Sequence, residues 1–234
     1  MTRFARAVLQ FFSHWPSLVA GFGIVRIDLP WLAVVWFAAS RVAYVGYVGV
    51  SLRAQELRGP PVAEGAEDGA WPRFSTRASW LMDNDAIAFV ALCVVTAGTV
   101  APSMPWSVAI VVGGVLVLLG SGVKIWANAS LSPGSYHWRN FFIAPAPHTL
   151  VASGPYRWVS NPMYTIGYAH LYGVALAMKS LPGLAAAVGA QASILLLHLL
   201  VERPHLHRLR AKGPSGNKCG MQPAAGAPGG IGRP

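Results

Sequence analysis

The sequence predicts an all-α, polytopic integral membrane protein of five to six transmembrane helices with no Rossmann domain. Two observations carry that prediction. Hydrophobic residues make up 54% of the 234 residues and charged residues only 11%, with a mean hydropathy of +0.46. The apolar residues also gather in runs of the ~20 residues that cross a bilayer. A soluble domain carries roughly 25% charged residues, so the surface here is built for lipid. The runs are too long and too little alternating for strands. Two cysteines make no disulfide framework. No Gly-x-Gly-x-x-Gly follows a strand, so a dinucleotide fold is unsupported. The net charge of +10 does not suggest nucleic acid. Its cations cluster between apolar runs, as a positive-inside topology requires.

The elements follow in chain order. Val8 to Ile27 is a weak first span, broken by His14 and Pro16 and read as interfacial in the five-span alternative. Trp31 to Val50 spans with Arg41 inside it. A mid-span cation is expensive, so Arg41 is expected to pair with Asp83 or Asp85 or to line a cavity. The loop 51–84 carries Arg53, Arg58, Arg73 and Arg77 around an acidic Gly/Pro stretch. Spans over Asp85 to Ala101 and Trp106 to about Ala127 flank the short Pro102–Pro105 turn and should form an antiparallel hairpin. Lys124, near the end of its span, is expected to snorkel. Arg139 and Arg157 mark the loop 128–162. Spans over Met163 to Met178 and Leu181 to Val201 complete the set, and Arg203, Arg208, Arg210, Lys212, Lys218 and Arg233 follow. The basic segments share one side, predicted to be cytoplasmic. The organisation read from this is N-terminal membrane helices over 1–105, a core over 106–212 and a disordered Gly/Pro tail over 213–234. Trp31, Trp80, Trp106, Trp138 and Trp158 are assigned to the aromatic belt.

Three features bear on chemistry. Glu202 is the sole carboxylate after Asp85, at the end of the last span and before Arg203-Pro204. It reads either as a surface partner of Arg203 or Arg208 or as a carboxylate that receives a cationic ligand at a cavity mouth. Gly154-Pro155-Tyr156-Arg157-Trp158-Val159-Ser160-Asn161-Pro162-Met163-Tyr164 is a turn feeding a helix start. Asn161 can cap that start, Pro162 suits its first turn, and its N–H groups suit an anion. Gly120-Ser121-Gly122 reads as a helix-packing site or a ligand contact. His198, Glu202 and His205 share a helical face at metal-ligand spacing, without a fourth ligand and with Pro204 positioned to bend the helix, so no metal is assigned. His170 is read as a hydrogen-bonded interior residue.

In this order, Gly120-x-Gly122, Asn161-Pro162-Met163-Tyr164 and Glu202-x-Pro204 resemble the membrane-embedded phospholipid and isoprenylcysteine methyltransferases, over about residues 106–212. The Asn-Pro-Met-Tyr form is closer to the phosphatidylethanolamine N-methyltransferases. The resemblance implies S-adenosylmethionine as cofactor and a phospholipid amine in the bilayer as acceptor. It assigns cofactor contacts to Gly120, Ser121, Gly122 and Glu202. The family's second acidic residue falls on Arg203, and its Phe-Gly…Tyr…Tyr closing segment has no counterpart after Lys212. Tyr156 or Tyr164 would then hold the sulfonium by cation–π contact, with Tyr164 and Arg157 as catalytic candidates. The Asn161-Pro162-Met163 start would take the cofactor's carboxylate, and Arg157 the lipid phosphate. His137 or His148 would accept the amine proton. Other readings are an isoprenylcysteine-type carboxyl O-methyltransferase, a sterol-reductase-like NADPH enzyme and a catalytically degenerate scaffold.

Overall fold

The computed structural model describes residues 29–59, 61–62, 69–101, 103–131, 137–143 and 154–211. Among these the chain is helical, and its only strand-like pairing is an isolated parallel bridge between Val62 and Ile143. The long helices are α1 (Leu29–Arg58), α2 (Ala70–Val95), α3 (Trp106–Ala129) and α5 (Leu181–Leu197); α4 (Ala169–Ala177) and α6 (Arg203–Ala211) are short. Four helical stretches, Leu29–Arg58, Ala70–Val95, Trp106–Ala129 and Leu181–Arg208, are long and apolar enough to cross a membrane, and Ile166–Ala177 is a shorter apolar helix. The weak first span expected over 8–27, His148 and the tail 213–234 lie outside the described residues.

The four long helices are apolar over most of their length, on outward as well as inward faces. In α1 the inward stripe is Ala33, Phe37, Ser40, Tyr44, Val48 and Leu52, spaced three and four apart. The outward face shows Trp31, Val42 and Val50 more than 70% exposed, a surface suited to acyl chains. α2 continues its stripe through Phe74, Ala78, Asp85, Phe89 and Leu92. That stripe starts well before Asp85. Most of the stretch expected as a loop over 51–84 is therefore helix, and Arg53, Arg73 and Arg77 stand on helices.

Small residues decide the next packing step. α3 lies against α4, and a side chain at Gly113 would meet Gly173 and Ala177. One at Gly120 would meet backbone atoms of His170 and Gly167. Because α3 packs on α4, and α2 on α1, the α2–α3 hairpin expected across residues 102–105 is not a packed pair. A small-residue seam brings two backbones closer than a short turn can. α5 packs against α1, α2 and α4, holding the two pairs together.

One end of the bundle is tied by polar contacts between two turns. Thr96 Oγ1 and Ser180 Oγ lie 2.6 Å apart, and the Gly98 and Val100 amides donate to Met178 and Lys179 carbonyls. Lys179, buried with φ 52°, donates to the Met104 carbonyl at 2.7 Å and sits over the Trp106 ring. Ser180 caps α5 by accepting from the Gly183 amide, with Pro182 in the first turn. The opposite end carries Arg53, Arg58, Arg73, Arg77, Arg139, Arg157, Arg203 and Arg208.

Candidate active site

The irregular stretch ahead of α4 is built as its turn residues dictate. Gly154 takes φ 58°, and Gly154–Arg157 forms a single 3₁₀ turn. Asn161 Oδ1 accepts the Tyr164 amide at 3.2 Å, and the Asn161 carbonyl accepts from the Thr165 hydroxyl and amide. The run expected as a helix from Met163 is thus turns to Thr165, a 3₁₀ turn over Ile166–Tyr168, and α-helix only from Ala169. Pro162 removes a donor there, and Gly167 packs against Lys124 on α3.

Pro204 shapes the other wall. A proline inside a helix loses one hydrogen bond and crowds the carbonyl four residues back. Here His198–Glu202 widen into one π-helical turn, and the helix then continues as α6. This turn stands Glu202, only 8% exposed, inward. The carboxylate receives three donors. Tyr164 donates its hydroxyl to Oε1 at 2.8 Å, the Trp138 indole N–H donates to the same oxygen, and His198 Nδ1 lies 2.6 Å from Oε2. Trp138 reaches it from φ 53°, ψ 33°, a left-handed conformation costly for so bulky a residue.

These groups line a cavity of about 320 Å³ between the α1–α2 pair and the α3–α4 pair. That is within the range of small-molecule sites, if at its lower end. Tyr156, Asn161, Met163, Tyr164 and Glu202 all face it, five of the residues expected from the sequence. So does His137, whose Nε2 lies 3.0 Å from Ser79 Oγ. Burial lowers the His137 pKa below the ordinary 6.5, so the ring is neutral at pH 7. Burial, and then the charge of Glu202, push the Tyr156 phenol up to about 12, which keeps it a hydroxyl.

Other expected residues fall outside the cavity. Gly120 is buried in the α3–α4 seam, Gly122 faces open space, and Ser121 is not among the lining residues. Pro162 is buried in its turn. Arg157 is exposed with its guanidinium over the Trp158 ring, and Arg203 is exposed. Arg208 pairs with Glu56 at 2.5 Å and not with Glu202, so the surface-pair reading of Glu202 does not hold. His205 stacks on Phe141 and turns to Glu56 and Asn140, away from the set imagined with His198 and Glu202. His170 is hydrogen-bonded to the Gly167 carbonyl, as expected, and also lines the cavity.

Sequence reasoning missed Trp138, placed in the aromatic belt but 8% exposed against Glu202. It also missed Lys124, expected to snorkel but facing the cavity with Nζ 4.8 Å from the Tyr168 ring centroid. Arg41 pairs with Asp85 at 2.5 Å and lines the cavity too, so its two expected roles coexist.

Comparison with known proteins bears on this geometry. Residues 108–212 match the family described as phospholipid methyltransferase. A phosphatidylethanolamine N-methyltransferase of Meyerozyma guilliermondii is 35% identical over 122 residues, covering 50% of this chain and 14% of the relative. One from Debaryomyces hansenii is 31% identical over 118 residues, 50% of this chain and 13% of the relative. One from Clavispora lusitaniae is 28% identical over 187 residues, 74% of this chain and 21% of the relative. The chain thus aligns with about a fifth or less of the length of these relatives. No solved structure matches.

Proposed function

Since residues 108–212 belong to the phospholipid methyltransferase family, we propose that this chain transfers a methyl group from S-adenosylmethionine to the amine of a phospholipid headgroup. The observation that carries the reading is Glu202. It is a buried carboxylate facing a cavity walled by Tyr156, Tyr164 and Trp138, an arrangement suited to a cation.

The donor set fits the cofactor. Glu202 supplies the negative charge that an ammonium or sulfonium needs, and three donors hold the carboxylate in one orientation. The aromatic rings add negative faces that attract a cation. When bound, S-adenosylmethionine supplies an electrophilic methyl carbon on a cationic sulfur. The protein's part is then to position and to exclude water. Tyr164 and Trp138 fix Glu202, and Asn161 fixes the turn that carries Tyr164. A lipid amine must shed its proton to attack, and His137, neutral at pH 7 and facing the cavity, is the acceptor we assign. The basic end, which holds the site, is placed on the cytoplasmic side by the positive-inside rule.

The test is calorimetric titration of S-adenosylhomocysteine into the detergent-purified chain and its Glu202→Gln variant. Tenfold or greater weakening in the variant is expected, about 1.4 kcal/mol. Absence of binding to folded wild-type protein would overturn the reading. Binding indifferent to Glu202 would remove the site while leaving the cofactor.

A further inference from the structure

The cavity has a second charged pole that methyl transfer from the Glu202 end leaves unused. Arg41 of α1 and Lys124 of α3 face it together with Asp85 of α2 and His170 of α4. The Arg41 Nη2 donates to Asp85 Oδ2 at 2.5 Å, while its Nε and Nη1 are buried without a hydrogen-bond partner among the described residues. Guanidinium cannot escape that cost by losing its proton. The guanidinium lies 5.7 Å from both the Phe37 and Tyr44 ring centroids, which fixes its plane. His170 is occupied by the Gly167 carbonyl. At this pole two cations against one carboxylate leave one net positive charge, Glu202 lying at the other end of the cavity, and the Arg41 Nε–H and Nη1–H are each left to donate to an oxyanion.

We propose that Arg41 and Lys124 bind the phosphodiester of the lipid acceptor, so that its headgroup lies along the cavity with the amine towards Glu202. The inference rests on the methyltransferase reading above and adds the part of the substrate that reading leaves unheld. Depth favours a lipid phosphate over the other available anion, the carboxylate of the cofactor. Lys124 stands 18 residues along α3 from Trp106, about 27 Å at 1.5 Å per residue. With Trp106 at the far interface, that is nearly the ~30 Å hydrocarbon thickness, so the Lys124 end of the pole stands at the level of the near-leaflet phosphates, with Arg41 deeper, 17 residues from the Arg58 end of α1. Arg157, the phosphate candidate expected from the sequence, stands outside the cavity. Arg41 and Asp85 precede the matched segment 108–212, so the N-terminal helix pair supplies acceptor recognition to the domain that holds the cofactor.

The experiment compares binding of phosphatidylethanolamine and of a phosphate-free primary amine with the same two acyl chains. It uses the full chain in detergent, read by native mass spectrometry, with S-adenosylhomocysteine affinity measured in parallel. The variants are Lys124→Met, Arg41→Lys and the charge-conserving double variant Arg41→Gln/Asp85→Asn. Wild type should prefer the phospholipid at least tenfold. Lys124→Met and the double variant should bring that preference within about twofold, with Arg41→Lys between. Retained S-adenosylhomocysteine affinity in each variant shows that it is folded. No preference in wild type, or preference unchanged in Lys124→Met and the double variant, overturns the proposal. Loss of S-adenosylhomocysteine affinity with lipid preference intact also overturns it and assigns the anion to the cofactor's carboxylate. A wild type that binds no S-adenosylhomocysteine, yet loses phospholipid preference with Arg41, leaves this site standing and removes the methyltransferase reading.

Discussion

Glu202 and His137 show how far single residues carry function here. Glu202 was legible from the sequence because it stands alone: no other carboxylate follows Asp85. Its partners were not. Trp138 lies 64 residues away and arrives through a left-handed backbone that no local pattern announces. His137 was nameable only as one of two histidines, and the fold places it in the cavity with a lowered pKa. That shift has a sign. The unfolded chain binds the proton more readily, so His137 withdraws stability as pH falls below about 6.5. His137→Gln should flatten the fall in detergent unfolding temperature between pH 7 and pH 5, while lowering kcat about a hundredfold. An unchanged pH slope would remove the stability argument, and an unchanged kcat the role as proton acceptor.

At the scale of elements, helices were readable and their ends and partners less so. The apolar run from Trp106 became α3 almost to the residue, because nothing in it interrupts the helix. The run from Met163 did not, because Asn161, Pro162 and Gly167 favour turns over the first helical turns. α2 was read fifteen residues short because Phe74 and Ala78 carry its buried stripe through sequence rich in charge. Gly120 and Gly122 looked alike in the sequence and are unlike in the fold. A methyl group at Gly120 would collide with the backbone of α4, whereas one at Gly122 meets nothing within 4 Å. Gly120→Ala should therefore destabilise by about 1–3 kcal/mol, the usual cost of overpacking, whereas Gly122→Ala should be neutral or stabilise by up to about 1 kcal/mol, alanine being the better helix former. Thermal unfolding in detergent separates them; equal losses would show that the seam is not the reason for Gly120.

For the whole molecule, the sequence was sufficient for membrane class because composition alone settles it. It could not show that the cavity lies between two helix pairs, since pairing followed the Gly113–Gly173 seam and not the connecting turn. The asymmetry of the two ends is testable. In a Cys93→Ala/Cys219→Ser background, Arg77→Cys should react with an impermeant maleimide only when the cytoplasmic face is exposed. Ser103→Cys should react only from the other face. The reverse pattern would invert the topology proposed above.

The polar tie between the turns around Thr96 and Ser180 has a mechanical consequence. It fastens the C-terminal ends of α2 and α4 and the N-terminal ends of α3 and α5 to one another. A bundle clamped at one end widens at the other by splaying, like tongs about their pivot. With Lys124 about 27 Å out along its arm, a tilt of only ~5° would part the jaws by roughly 2 Å. A long-tailed molecule could then slide in from the side without the fastened end loosening at all.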